Sequence, residues 1–306
     1  MARPQLSLNY DDWSETCDTL HAHTQVLGKL AVALAPPEPQ LQHAALRLTA
    51  RGWETAPLPA PDGSGAVVVV LDLRAHQVLV ERTDGGHRAV ALTPNRSVGE
   101  VTTDVLDAVA QLAGAVRINT APQEVPWDTP LDEDADHRTY DPAAVGRYLS
   151  IATEAALGLA RIAAPYRGRR TPVNAWWGSF DLAVNLFSGR PVEPPTSDFI
   201  SRNSADAETI AIGWWPGDGR HPRAAYFGYA SPAPEGFARG TVAPATARWD
   251  PDLGEYVLDW DDAQATSDPR QAAMQFGRSL ITHATAVCGW EPALARSAEG
   301  TPPPVV

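Results

Sequence analysis

The strongest constraint on the fold is the order of helical and β-like segments, which occurs twice along the chain. In the first half a helix is predicted over 11–35, where Asp11 or Asp12 can cap the start and two prolines follow the end. A second helix is predicted over 97–113, opened by a Ser97–Glu100 capping box. Short β-like runs lie between the two helices, with an Asp-Gly-Gly hairpin signal before the last of them. These runs are 43–51, 67–71, 77–81 and 87–92.

The second half repeats this order after an acidic, proline-rich connector over 122–140. A helix is predicted over 141–164 and a final one over 268–288, each opened by an Asp-Pro pair. The β-like runs between them alternate or carry β-branched and aromatic residues. They are 173–187, 208–215, 223–230, 242–249 and 254–260.

The repetition predicts an α+β protein of two pseudo-repeated halves, each an antiparallel sheet flanked by helices, joined into one compact unit. The halves span 1–121 and 141–292, and 293–306 is expected to be a disordered tail. Sequence identity between the halves is slight, so chance recurrence of a common α+β order is the alternative to duplication. A cleft between such halves would be a preferred place for a ligand.

Composition excludes several classes of function. A formal charge of −13 repels phosphate backbones, so we expect no nucleic-acid partner. No run approaches the roughly 20 apolar residues of a membrane span, and the first residues lack a signal core, so we expect a cytoplasmic bacterial protein without membrane contact. Cys17 and Cys288 lack the spacing of a disulfide framework, so both are expected to be reduced thiols.

Lys29 is the only lysine in the chain and is the first candidate for chemistry. Burial can bring the pKa of an ammonium into the working range, whereas a guanidinium stays charged. His21 and Gln25 share the same predicted helix face, where they could orient a substrate. Gly28 indicates the close approach of backbone or ligand. The alternative is that Gly28 only permits helix–sheet contact and that Lys29 reaches an acidic partner at the surface.

The end of the connector provides a second group of candidates. Asp132–Asp136 and His137 could supply a general base or hold a cation if they converge on a cleft. His137 and Tyr140 precede a helix N-terminus, where they are predicted to contact substrate. The alternative is a solvated acidic face, and the glycine of a calcium loop is missing. A metal pair of His21 and His23 is not favoured, because these positions point to different helix faces.

Two tryptophan pairs could line a pocket, since indole rings contact flat or aliphatic ligands while the N–H donates a hydrogen bond. Filling the core is the alternative. One pair lies in a predicted alternating strand over 174–185 and the other ends the strand near 215. Asp181 and Glu208, on the same strands, could hold Lys29 or relay a proton. The tryptophans predicted to bind substrate are Trp176, Trp177, Trp214 and Trp215.

Four separated segments of the chain resemble an uncharacterised family of bacterial proteins, a domain of unknown function. The resemblance spans about residues 8–292 and implies the length of a single domain, but it implies no activity. The segments are Leu20-His21-x-x-Thr24-Gln25-x-x-Gly28-Lys29, Asp132-Glu133-Asp134-x-x-His137-x-x-Tyr140-Asp141-Pro142, Trp177-Gly178-Ser179-Phe180-Asp181-Leu182-Ala183 and Trp215-Pro216-Gly217.

Motifs of familiar chemistries are missing, since no glycine-rich phosphate loop and no nucleophile elbow occurs, and we expect no cofactor. The leading hypothesis is a cofactor-independent enzyme that rearranges a moderately hydrophobic small molecule by cyclisation, dehydration or isomerisation. Its catalytic candidates are Lys29, His21, Asp181 and Glu208. One alternative is a non-catalytic small-molecule-binding protein. The other is a metal-dependent hydrolase that uses His21, His137 and neighbouring acids.

Overall fold

A computed structural model describes residues 7–295 of the chain. These residues form two compact units. Within the described part, unit 1 comprises 7–156, 173–183 and 213–225, and unit 2 comprises 157–172, 184–212 and 226–295. The fold is α+β with two six-stranded antiparallel sheets, as the order of segments predicted.

Seven α-helices occur among residues 7–295. The longest are amphipathic or nearly fully buried, which is how a helix stabilises a globular unit. In chain order they are α1 (Ser14–Leu34), α2 (Val98–Ala113), α3 (Pro142–Ala163), α4 (Phe199–Ser204), α5 (Trp260–Gln264), α6 (Pro269–Val287) and α7 (Pro292–Ala295).

The first sheet lies within unit 1 and is antiparallel throughout, in the order β1-β2-β4-β5-β6, with β3 also paired to β4. Its centre is the valine-rich strand β4, whose branched side chains suit a buried pleated surface. Helix α1 contacts β4, and α2 contacts β5 and β6. The strands are β1 (Arg47–Leu48), β2 (Gly52–Glu54), β3 (Leu58–Pro59), β4 (Ala66–Asp72), β5 (Gln77–Arg82) and β6 (His87–Ala91).

The second sheet has the order β11-β12-β10-β9-β8-β7. Its hairpin of β7 and β8 pairs Trp176 with Asp181 across a four-residue turn. The strands are β7 (Asn174–Trp176), β8 (Asp181–Pro191), β9 (Ala207–Trp215), β10 (Ala225–Ser231), β11 (Arg248–Asp250) and β12 (Glu255–Asp259).

Four local predictions are wrong. Neither Asp11 nor Asp12 caps α1, because both lie in a 3-10 turn and Trp13 occupies the cap position without a side-chain bond. The run 43–51 is mostly not a strand, since a 3-10 segment ends at Ala44. The run 242–249 is mostly not a strand, since only Arg248 and Trp249 of it belong to β11. The predicted strand over 174–185 is broken at residues 177–180 by the hairpin turn, so its alternating faces do not exist across the turn.

The predicted tail begins in α7, and its remaining residues, 296–306, lie outside the described residues. Duplication of the halves and their boundary in the connector stay predictions. No helix within residues 7–295 is both long enough and apolar enough to cross a lipid bilayer.

Candidate functional site

Helix α1 presents His21, Gln25 and Lys29 on one face, as their spacing of four predicted. All three are buried. They face an irregular segment that contains a loop closed by a backbone hydrogen bond from Leu131 N–H to Thr120 O, 2.9 Å long. We refer to residues 120–131 as the 120–131 loop.

The 120–131 loop runs along α1 in the opposite direction to the helix. Lys29 Nζ donates to Ala121 O at 2.6 Å. One turn earlier, the Gln25 amide accepts from the backbone N–H of Gln123 at 2.8 Å and donates to its carbonyl at 2.9 Å. One further turn brings the His21 ring edge-on to an indole of the loop, Trp127, with centroids 5.4 Å apart. Each step of four residues toward the N-terminus of α1 therefore contacts a later part of the loop.

The Lys29 side chain lies between this loop and Trp177. Only 5% of the residue is exposed, and the ammonium lies 5.4 Å from the centre of the Trp177 ring, where a cation is attracted by the π-face. Burial lowers the pKa of Lys29 to about 8. At neutral pH the amine is therefore mostly protonated, and one of its protons is committed to the carbonyl of Ala121.

Trp177 fills the space that Gly28 leaves on α1. A Cβ placed on Gly28 would lie 2.1 Å from two atoms of the indole. The Trp177 N–H donates to Ala44 O at 3.1 Å, which fixes the ring against the helix. The close approach predicted at Gly28 is therefore made by a side chain of the same unit.

His21 is held in one tautomer by the hairpin turn. Its Nε2 lies 3.0 Å from both Trp177 O and Gly178 O, so this nitrogen carries the proton and Nδ1 is an acceptor. The ring stacks on Phe180, with centroids 5.1 Å apart. Burial lowers the pKa of His21 to about 4, so the imidazole is neutral at physiological pH.

The same turn carries a strained residue and a buried acid. Phe180 has a φ of 56°, an unusual conformation for a bulky residue. It stacks on Trp53 and Tyr148, and these contacts hold the strained backbone. The next residue, Asp181, is buried and accepts a hydrogen bond from Ser179 Oγ. Burial raises the pKa of Asp181 to about 7, and the charge of Glu124 contributes in the same direction.

His137 and Asp134 form a hydrogen-bonded pair beside the loop. His137 Nδ1 lies 2.7 Å from Asp134 Oδ2, while Asp134 Oδ1 accepts from the backbone N–H groups of Asp136 and His137, both at 3.0 Å. Only 3% of the Asp134 side chain is exposed, against 21% for His137. The His137 ring contacts Trp127 at 4.5 Å, so this indole lies between two imidazoles.

The other predicted site residues have separate surroundings. Tyr140 OH hydrogen-bonds His76 Nδ1 at 3.0 Å. Trp214 is fully buried beside Tyr148, and Trp215 contacts His221. Trp176, at the end of β7, is half-buried.

Glu208 belongs to unit 2, where it accepts from Ser188 Oγ and from Arg190 Nε, each at 2.8 Å. These two bonds account for its side chain without Lys29. The predicted function of Glu208 as the partner of Lys29 has no support among these contacts.

Trp127 and Asp134 carry the arrangement without having been singled out as site residues. Asp134 lies in an acidic run, and its position three residues before His137 is the one sequence signal that could have identified the pair. Trp127 lies in the connector, whose linker-like composition gives no signal of a site residue. Among residues 7–295, no three histidine, cysteine or acidic side chains are grouped so that they could hold a metal ion.

The fold and this geometry define an α+β protein whose unit 1 holds two oriented histidines around one indole. The chain belongs to the family of unknown function DUF5996, whose model matches residues 4–297. Searches of curated proteins and of solved structures found no significant match. Three of the four segments that carry the family resemblance meet near His21, through the hairpin turn on one side and through Trp127 and His137 on the other.

Proposed function

We propose that the protein is a cofactor-independent enzyme that moves a proton on a moderately hydrophobic small molecule, with His137 as the base. The observation that carries this proposal is the Asp134–His137 pair. A buried carboxylate that accepts the Nδ1 proton of a histidine leaves Nε2 as a free acceptor and stabilises the imidazolium that forms after proton transfer. Within residues 7–295, His137 Nε2 has no hydrogen-bond partner.

His21 complements this base without duplicating it. With a pKa of about 4 it remains neutral at pH 7, so it orients a donor group of the substrate through Nδ1. The Trp127 ring between the two histidines offers a flat apolar surface. A cyclisation or isomerisation can use these elements, because the protonated His137 can return its proton to another atom of the same molecule. A dehydration also needs a proton donor for the departing hydroxyl group.

Asp181 supports the same proposal because burying its ionisable carboxyl group destabilises the fold. A carboxyl group with a pKa near 7 is kept buried and partly uncharged at a strained turn, and such groups cluster at functional sites. Its place directly after the turn that orients His21 makes it a candidate proton donor. Lys29 as the base stays a prediction, and the proposal gives Lys29 and Gln25 a positioning function through the 120–131 loop.

The second candidate function is a non-catalytic small-molecule-binding protein. It is favoured by the half-buried Trp127 ring beside His21 and His137, which offers a flat apolar surface on which a flat ligand could pack without chemistry. In either case we propose a cytoplasmic bacterial protein without a nucleic-acid partner. Two free cysteines and a charge of −13 support this proposal.

Proton transfer by His137 predicts deuterium exchange into carbon positions of a substrate. The full chain is incubated in D2O with a pool of flat, largely apolar carbonyl compounds that carry an N–H or O–H group, and mass increases are read by mass spectrometry. His137→Gln should lower the exchange rate of any responsive compound by about 10²-fold or more, and Asp134→Asn should lower it less, because the imidazole remains. His87→Gln, at an exposed histidine of β6, is the matched control and should leave the rate unchanged.

Two outcomes contradict the enzyme proposal. One is that the wild-type protein exchanges no compound of the pool. The other is that His137→Gln exchanges as fast as wild type while remaining folded by circular dichroism. A compound that binds wild type and His137→Gln with the same Kd, without exchange, favours the binding protein.

A further inference from the structure

The 120–131 loop has the features of an Ω-loop. Its ends are joined by the bond between Leu131 N–H and Thr120 O, and three prolines stiffen it, at 122, 126 and 130. No residue from 120 to 130 is buried, whereas Leu131 is fully buried. The loop therefore gives up no fully buried side chain of residues 120–130 if it moves.

The loop is held to α1 by side chains. Among residues 7–295, its hydrogen bonds and ring contacts with that helix are the bond from Lys29 to Ala121, the two bonds between Gln25 and Gln123, and the edge of His21 against Trp127. Two residues of α1 thus provide all three of these hydrogen bonds.

The chain after the loop is held in a different way, by backbone hydrogen bonds to the start of α2. Gly99 N–H donates to Asp134 O at 2.8 Å and Val98 N–H donates to His137 O at 2.9 Å. A Cβ on Gly99 would lie 3.0 Å from Asp134 O, so the two backbones are in close contact. Asp134 and His137 are therefore fixed on α2 independently of the loop.

We propose that the 120–131 loop is a lid that opens at Lys29 and Gln25 and carries Trp127 away from His21, while Asp134 and His137 stay in place. This proposal rests on the proposed function, because it makes the space vacated by Trp127 the substrate position. The molecule that replaces the indole is flat and largely apolar. It carries an N–H or O–H group, because both imidazoles there offer acceptor nitrogens.

The lid predicts a distinctive pattern of amide hydrogen exchange in the wild-type full chain, measured by NMR without any ligand. The amides of Gln123 and Leu131 should exchange through one shared opening, because release of the loop from α1 also separates its ends and breaks the bond between Leu131 N–H and Thr120 O. They should exchange at least about 10-fold faster than the amides of Val98 and Gly99, because opening the lid is a smaller event than breaking the backbone bonds between the start of α2 and residues 134–137. Exchange of all four amides at the rate of global unfolding would overturn the proposal.

Lys29→Met tests the latch directly, since Lys29 bonds a carbonyl and neither reporting amide. Loss of a hydrogen bond from a charged donor should speed exchange of the Gln123 and Leu131 amides about 10-fold or more. The exchange rate of the Gly99 amide should not change. Tyr166→Phe removes a comparable buried bond to a carbonyl in unit 2 and is the matched control. If Lys29→Met leaves the Leu131 amide unaffected, the loop does not open as a lid.

Gln25→Leu provides a second variant. It should speed exchange at Leu131, to which Gln25 is not bonded, as well as at Gln123. These measurements need no substrate, so they remain valid if the deuterium experiment with His137→Gln fails. Failure of the lid likewise leaves the proton-transfer result unaffected.

Discussion

Gly28→Ala is expected to lower the free energy of unfolding by about 3 kcal/mol, near the upper end of overpacking costs. The added methyl group would lie 2.1 Å from the Trp177 ring, a distance at which one side must move. Trp177 cannot move easily, because its N–H is bonded to Ala44 O. Helix propensity alone predicts the opposite sign, a gain of up to about 1 kcal/mol. Chemical denaturation of the variant and wild type measures the difference.

Gly146→Ala is the control for this prediction. Gly146 is also inside a helix, α3, but a Cβ at this position meets no atom within 4 Å. This variant should gain up to about 1 kcal/mol from helix propensity. If both variants are stabilised, the contact between Gly28 and Trp177 does not exist as described.

Asp181→Asn is expected to stabilise the protein at pH 8 and to have little effect near pH 4. The pKa of Asp181 is raised to about 7 in the folded state, above the usual value of 3.8. Its contribution to stability is therefore fully present below pH 3.8 and is lost as the pH rises through 7. The loss approaches about 4 kcal/mol above pH 8, and asparagine, which does not ionise, avoids it.

The measurement is the free energy of unfolding of the variant and of wild type between pH 4 and 8. Asp107→Asn, at an exposed position of α2, should change stability by less than about 0.5 kcal/mol at every pH. Parallel curves for Asp181→Asn and wild type would contradict the prediction. His21 changes stability with pH in the opposite direction, and it does so equally in wild type and in Asp181→Asn. Because its pKa is lowered, its contribution to the free energy of unfolding is present above pH 6.5 and is lost as the pH falls toward 4.

Features set by neighbouring residues were predictable from the sequence. The capping box forms as predicted, with Ser97 Oγ accepting from Glu100 N–H and the Glu100 carboxylate accepting from Ser97 N–H. The Asp-Gly-Gly turn between β5 and β6 also forms, with Gly85 at a φ of 95°. The common face of His21 and Lys29 follows from helix geometry alone.

Features set by distant residues were not predictable in the same way. Residues 177–180 alternate like a strand, yet stacking on Trp53 and Tyr148 holds Phe180 in a turn conformation that its sequence does not favour. The partners of Gln25 and Lys29 lie more than 90 residues later, in a segment with the composition of a linker. No periodicity connects α1 with such a segment. The contacts of the 120–131 loop and of Trp127 with α1 could therefore be seen only in the structure.

The single lysine is enclosed between Trp177 and the carbonyl of Ala121, so cleavage at this residue can report the local unfolding of α1. A protease specific for lysine has one bond to cut, and it lies in a helix that must unwind before cleavage. The rate of that one cleavage, read on a gel, therefore gives the fraction of molecules in which α1 has come apart.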